Sequence, residues 1–328
     1  MKNKLVMNKW TCRFALAGLS LMGLPAFAQE AQDLGDSGVP TAPLEQPAAN
    51  APARLPMTAS AAVAEQFNTK IDNAGGPDAS FSITRFNVNL KAPVRLNDDY
   101  VLANSFRFGY DAYNFNGVMS PPWQNVDTLQ AASVLQWRMD DNWSIYGGGF
   151  VKMSAASNVA LTKGTTGGIL AGFNYKFSDT LSLGLGLAMA SQLERSASIL
   201  PLITAKWKFA DDWTLNAGLT DVATMGYGVV AKWHFDDAWD FGFGVQYHNS
   251  RFRIASPDGS VGDGVGQEKS ATLFADATWH AASNVDVDGF AGFTAGGNLS
   301  TYNNRRDEVQ GNNYKPAVII GLRGSYNF

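Results

Sequence analysis

The sequence predicts an all-β protein, a membrane-spanning, antiparallel, up-and-down β-barrel. Apolar residues alternate with small or polar ones at period two, short polar turns alternate with longer connections, and aromatic residues gather beside the short turns. After the first 28 residues the chain has no apolar run long enough for a membrane helix. This is typical of a membrane barrel, because each strand alternates between lipid and lumen.

The N-terminal segment 1–28 is predicted to be a cleaved secretory signal. Basic residues precede a short apolar stretch from Phe14 to Leu24, and Ala26-Phe27-Ala28 forms a small-x-small cleavage pattern. The single cysteine, Cys12, lies inside this segment. We therefore expect a mature chain without disulfides.

Residues 29–60 are rich in proline and alanine and contain few large apolar side chains. Such a composition cannot build a core, so it predicts a disordered periplasmic segment. A partner-binding arm is the alternative. The barrel is predicted to occupy residues 61–328.

Short acidic or Asn-containing turns recur at 96–99, 140–142, 178–179, 211–212, 236–237 and 283–284. Asp, Asn and Ser suit tight turns because their side chains bond local backbone groups. Longer connections are predicted near 112–126, 154–166, 249–268 and 295–313. Six short turns and a C-terminal strand imply thirteen strands. A weakly alternating strand at Ala62–Ile71 brings the expected number to 14, with 12 as the alternative.

Tryptophans flank the short turns and fall mostly on the apolar face of the predicted strands. Amphipathic rings settle where hydrocarbon meets headgroups, so this row predicts an interfacial aromatic girdle. A soluble β-sandwich or barrel would instead place its aromatics in mid-strand. The girdle residues are Trp137, Trp143, Trp207, Trp213, Trp233, Trp239 and Trp279.

The last strand places apolar residues at alternate positions, Ile320, Leu322, Tyr326 and Phe328, and ends on phenylalanine. Here the chain resembles Gram-negative outer-membrane β-barrel proteins of porin-like architecture. The resemblance implies a location in the bacterial outer membrane, after export through the periplasm. It also implies that this strand is the signal read by the barrel-assembly machinery, with outer-membrane lipids as the surrounding partners.

Basic residues outnumber acidic ones on the predicted lumen face. A basic lumen favours anions, so the sequence predicts a passive diffusion channel for small solutes, anionic ones in particular. The alternative for the basic set is a salt-bridged rim beside the acidic turns. The candidate lumen-lining residues are Arg85, Arg107, Arg138, Lys152, Lys176, Lys206, Lys232 and Arg323.

Two other functions stay open. The first is a non-conducting structural or surface-interaction barrel. The second is an outer-membrane esterase or lipid hydrolase using His248 and Ser250, which lie two apart on a strand and so share a face. That face is the predicted lumen side, and an orienting acid would have to come from Glu268 or Asp276. No cofactor or metal is expected, and the net charge of −4 gives no support to nucleic-acid binding.

Overall fold

The computed structural model describes residues 55–72, 78–118, 120–194, 197–220, 222, 226–255, 264–303 and 307–328. The predicted signal and nearly all of the predicted periplasmic segment lie outside these residues. The first strand begins at Thr58, slightly before the expected barrel boundary at residue 61. No helix in the described part of the chain is long and apolar enough to cross a membrane.

The described residues are almost all in antiparallel strands, with one short 3₁₀ helix at Leu161–Gly164. The strands are β1 (Thr58–Lys70), β2 (Ser80–Arg95), β3 (Tyr100–Asn116), β4 (Val126–Arg138), β5 (Trp143–Ala156), β6 (Thr165–Ser178), β7 (Leu181–Ala190), β8 (Ser198–Ala210), β9 (Trp213–Thr220), β10 (Gly226–His234), β11 (Trp239–Ile254), β12 (Gly264–Ala282), β13 (Val285–Tyr302), β14 (Glu308–Tyr314) and β15 (Ala317–Asn327).

Strands β1 to β13 pair in chain order, and the C-terminal segment closes the barrel between β13 and β1. β14 pairs with the outer part of β13, whereas β15 pairs with the periplasmic part of β13 and with β1. The two are halves of one fourteenth strand, interrupted at Lys315 and Pro316, where proline supplies no backbone donor. The predicted closed barrel of 14 antiparallel strands is confirmed.

The period-two pattern decides which side chains face outward. On β7, Leu185 and Leu187 are exposed, whereas Gly184 before them and Ala188 after them are buried. The same alternation continues around the wall, and it leaves a belt of exposed apolar side chains on the outside. In a transmembrane barrel this belt contacts the hydrocarbon of the bilayer.

The short turns form because acidic and amide side chains bond the turn backbone. The Asp140 carboxylate accepts hydrogen bonds from the backbone N–H groups of Asn142 and Trp143, at 2.8 and 2.7 Å. Asp236 does the same before β11. Because Trp143 and its counterparts begin the strands that follow, these turns also fix where the girdle tryptophans lie.

Candidate functional site: the lumen and its outer mouth

The exposure of lumen-facing side chains changes along the barrel axis. In the periplasmic half, Asn89, Ser105 and Arg107 are partly exposed. In the outer half, Phe81 and Ile83 of β2 are fully buried, although they share a face with Asn89. Burial is not confined to the outer half, because Gln136 and Asp288 near the periplasmic turns are at most 5% exposed and lumen-facing apolar side chains form two further buried clusters. Among the described residues, the accessible part of the lumen is therefore a vestibule beside β2 and β3 in the periplasmic half, and the outer half is packed.

The outer mouth is shut by four strand ends that fold across it. We call them the flap: residues 248–254 of β11, 264–269 of β12, 297–302 of β13 and 308–314 of β14. Beyond Tyr247 the β11 strand has no partner on β10, because the pairing between these two strands ends at Tyr227. Freed from that neighbour, β11 crosses the mouth, and Arg253 pairs in parallel with Ala155 of β5.

That parallel pairing joins opposite walls of the barrel. Strands β6 to β10 lie between β5 and β11 in the sheet order. The sequence placed connections at 249–268 and 295–313, but the structure shows strands over much of both stretches. The flap parts of β11 and β12 lack an outward apolar face because they are buried on both sides, whereas most of β14 is exposed.

The underside of the flap packs against the inner face of the opposite wall. The Phe252 ring meets Trp123 edge-on, with centroids 5.1 Å apart, and lies 6.5 Å from the Tyr113 ring. Tyr314 of β14 meets Phe81 of β2 in the same way, at 4.9 Å. The buried cluster formed here consists of Ile71, Ala79, Phe81, Ile83, Tyr113, Trp123, Val126, Ala156, Phe252, Ile254, Leu299 and Tyr314.

A buried carboxylate, Glu268, ties the β12 arm of the flap to strands β2 and β3. One carboxylate oxygen accepts a hydrogen bond from Arg85 at 2.7 Å, and the other accepts one from the Tyr113 hydroxyl at 2.6 Å. Arg85 also contacts Asp111 at 2.9 Å. Charges removed from water require such partners. The contacts of Glu268 with Arg85 and Tyr113 form because the flap lies across the mouth.

A second carboxylate, Glu194 in the β7–β8 connection, holds the upper face of the flap. Its oxygens lie 3.1 Å from Arg253 and 3.6 Å from Arg251. Arg253 also donates to the backbone carbonyls of Leu193 and Lys163. The tip of β11 is thus fixed to two external connections as well as to β5.

The flap is stiffened by a row of side-chain contacts across its strands. Gln267 donates to the Asn249 side chain at 2.8 Å and accepts from the Tyr302 hydroxyl at 3.1 Å. The Arg251 guanidinium lies over the Tyr302 ring, 5.1 Å from its centroid. These contacts link β11, β12 and β13 into one unit.

Most of the predicted lumen-lining bases lie beside acids. Arg107 lies in the vestibule, Lys152 is buried below the flap, and Lys206 is exposed near the periplasmic end. The other five pair as follows: Arg85 with Asp111 and Glu268, Arg138 with Asp99, Lys176 with Asp179, Lys232 with Asp276, and Arg323 with Asp288.

Those ion pairs differ in their surroundings. Asp179 lies in an exposed turn, where a hydrogen bond from Lys176 lowers the pKa of its carboxyl group. Arg323 and Asp288 lie 2.9 Å apart and are mostly buried, whereas Lys232 approaches Asp276 only to 3.9 Å. Arg138 and Lys176 thus contact acids of the short turns, whereas the other three basic residues contact acids on strands.

Glycines on the inner wall accommodate an aromatic side chain. A Cβ atom on Gly172 or Gly186 would lie 2.4 or 2.5 Å from the Tyr146 hydroxyl oxygen. The Tyr146 side chain therefore lies flat against β6 and β7 rather than projecting toward the axis. Glycine at these positions leaves room for the Tyr146 ring, which packs against the buried cluster of Phe150 and Leu170.

The tryptophans of the predicted girdle lie together on the outer wall near the periplasmic turns. Trp213 and Trp233 stack with centroids 5.9 Å apart, and Trp239 and Trp279 stack at 6.2 Å. Trp137, Trp143 and Trp207 are likewise exposed on the same side of the wall. On β15, the proposed assembly residues Ile320, Leu322, Tyr326 and Phe328 also point outward.

His248 and Ser250 lie at the start of the flap and are buried on its lumen side. Ser250 is the register partner of Glu268, whose carboxylate lies 4.0 Å from the His248 imidazole. An acid is thus near the pair, but it is bonded to Arg85 and Tyr113. Both side chains are at most 6% exposed and lie on the lumen side of β11 rather than on its lipid side.

The sequence did not single out Glu194, Trp123 or Phe252. Each contacts residues that are distant in the chain, so no local spacing reveals its role. The two arginines of β11, Arg251 and Arg253, were the available signal, since alternate arginines in a long strand call for an acidic partner on the facing surface.

No protein-family model matches this sequence, and no curated protein matches it significantly. The barrel is similar to the structure of a FadL homologue from Pseudomonas aeruginosa, with 14% identity and a TM-score of 0.50. That match covers 92% of this chain and 97% of the other. An outer-membrane channel from Pseudomonas putida F1 matches with 12% identity and a TM-score of 0.49, over 87% of this chain and 99% of the other.

The apolar belt, the tryptophan girdle and the shared fold define the class of this protein. It is a Gram-negative outer-membrane β-barrel protein with 14 strands. The match at a TM-score of 0.50 and 14% identity supports the shared barrel fold.

Proposed function

We propose that this barrel is a passive diffusion channel for small solutes. The observation that carries the proposal is the partly exposed vestibule, lined by polar side chains such as Asn89, Ser105 and Arg107. A barrel serving only as a structural element has no need of a polar, accessible inner half. The fold shared with outer-membrane channels supports the same function.

We propose only a weak preference for anions. Five of the eight basic residues predicted to line the lumen lie beside acids, which cancels much of their charge. Arg107 is a partly exposed base in the vestibule whose two register partners, Asn89 and Gln130, are uncharged. It is therefore the residue through which permeant anions are favoured.

The packed outer mouth favours a second candidate, a non-conducting barrel with a structural or surface role. Single-channel recording separates the two. Refolded protein in a planar bilayer, under a salt gradient, is expected to show rare discrete conductance steps with a small anion-directed reversal potential. A folded barrel that stays silent, even after the contacts holding the flap are broken, contradicts the channel and favours the structural barrel.

A further inference from the structure

We propose that the flap is a gate that swings outward as one unit about a crease crossing the wall. The crease is visible as three irregularities at one height of the barrel. They are the end of the β10–β11 pairing at Tyr247, the β-bulge that contains Gly296 opposite the register shift between Lys269 and Ala271, and the interruption at Lys315–Pro316.

Each irregularity allows the strands above it to bend relative to those below. The register shift places Gly296 and Gly297 of β13 opposite Ser270 alone, a β-bulge, and bulges bend the strand that contains them. Gly296 has a φ of 61°, a left-handed conformation that suits glycine. Pro316 removes a backbone donor at the same height.

Above the crease the flap is connected internally, and at its far edge it is held by polar contacts. The row of Asn249, Gln267 and Tyr302 keeps three strands together. The far edge is held by Glu194, by Glu268 and by a parallel bridge to Ala155. The underside is held as well by the buried apolar cluster, and Tyr314 of β14 bridges to Ile71. A stiff unit with a bent base and a separable set of contacts at its far edge is the arrangement expected of a hinged element.

The motion and its effect on conduction are measured separately. The gate rests on the proposed channel function only for its consequence, so a readout independent of conduction is required. Val126 lies in the buried cluster beneath the flap, 2% exposed, and Val126→Cys introduces a thiol of similar size there. In a Cys12→Ser background this thiol is the only one in the chain.

The first experiment follows the labelling of that thiol by a water-soluble maleimide in refolded protein. Glu194→Gln removes the charge that holds Arg251 and Arg253, and we expect it to accelerate labelling about tenfold, since hydrogen bonds to a charged partner are lost. The matched control is Glu308→Gln, an exposed carboxylate at the flap edge. Equal labelling rates in the Glu194→Gln and Glu308→Gln proteins overturn the gate.

The second experiment locks the flap. Ala155→Cys with Arg253→Cys places two thiols on register partners of opposite walls, within reach of a disulfide. We expect the oxidised protein to lose its conductance steps and its reduction by dithiothreitol to restore them. Ala205→Cys with Ala217→Cys, a pair on the adjacent strands β8 and β9, controls for oxidation itself.

The outcomes separate the two proposals. Unchanged conductance in a protein shown by gel shift to be cross-linked overturns the gate and leaves the channel standing. Labelling that accelerates in the Glu194→Gln protein, without conductance in any variant, supports the moving flap and contradicts the channel. Circular dichroism confirms in each case that the barrel is folded.

Discussion

Glu268 and Arg85 contact each other at 2.7 Å, although they lie on β12 and β2, with β1, β13 and the divided fourteenth strand between them. Neither side chain is exposed to solvent to any useful extent. The contact exists only because the β12 arm of the flap folds inward. This ion pair is therefore specific to the closed arrangement of the outer mouth. Removing the ion pair is the most direct way to destabilise that arrangement.

Glu268→Gln is expected to lower the free energy of unfolding by about 3 kcal/mol, because it breaks a buried charge pair and weakens the bond to Tyr113. Urea titration of the refolded protein, followed by tryptophan fluorescence, measures the change. Glu308→Gln is the control, since that carboxylate lies at an exposed position of β14. Equal unfolding midpoints for the two variants contradict a structural role for the Glu268 pair.

Much of the wall follows from the sequence, because the alternation of lipid and lumen is encoded residue by residue. The alternate positions of Leu183, Leu185 and Leu187 indicate which face of β7 is apolar without information from any other strand. The turns are equally local, since the Asp140 carboxylate bonds its own turn. The strand number and the closed antiparallel barrel could be predicted for this reason.

The flap could not be predicted, because its position depends on a difference in length between neighbouring strands. β11 continues to Ile254, beyond the end of its pairing with β10 at Tyr247, and this longer part crosses the mouth to Ala155. Phe252 and Ile254 are then buried on the lumen side, although the sequence predicted a connection at 249–268. Contacts such as Glu194 with Arg253 join parts of the chain that share no local pattern.

Phe252→Ala is expected to lower the free energy of unfolding by roughly 3 to 5 kcal/mol, the usual cost of emptying a fully buried aromatic site. Phe252 is 0% exposed and contacts Trp123 and Tyr113. The same change should accelerate labelling of the Val126→Cys thiol, because the underside of the flap loses its central ring. Phe243→Ala, on the lipid face of the same strand, tests whether the loss is specific to the mouth.

Gly296→Ala is expected to cost about 1 kcal/mol of stability through the backbone alone, since a Cβ disfavours a φ of 61°. Contacts with other parts of the chain do not contribute, because no heavy atom beyond Gly296 and its two chain neighbours lies within 4 Å of the position that a Cβ would take. A thermal or urea unfolding midpoint provides the measurement. Gly324→Ala, on β15 with similarly clear surroundings and no unusual φ, is expected to leave stability unchanged.

Arg107→Gln is expected to reduce the anion preference of the conducting state, because it removes a partly exposed positive charge from the vestibule. The reversal potential under a salt gradient should move toward zero or toward cation preference. Asn89→Ala, which changes the uncharged register partner, should leave it in place. A reversal potential that is the same in all three proteins assigns selectivity to other residues.

Phe328→Ala is expected to lower the amount of protein that reaches the outer membrane while leaving the refolded barrel intact. The Phe328 ring is 69% exposed and lies 4.8 Å from that of Tyr326, so it contributes little to the packing of the folded wall. Its backbone N–H, which bonds the Met57 carbonyl, is unaffected by the change. A defect in cells without a defect in refolded protein therefore indicates recognition during assembly. Val318→Ala, at an exposed position earlier on β15, is the control, and an equal loss from both variants would assign the effect to the strand rather than to its aromatic end.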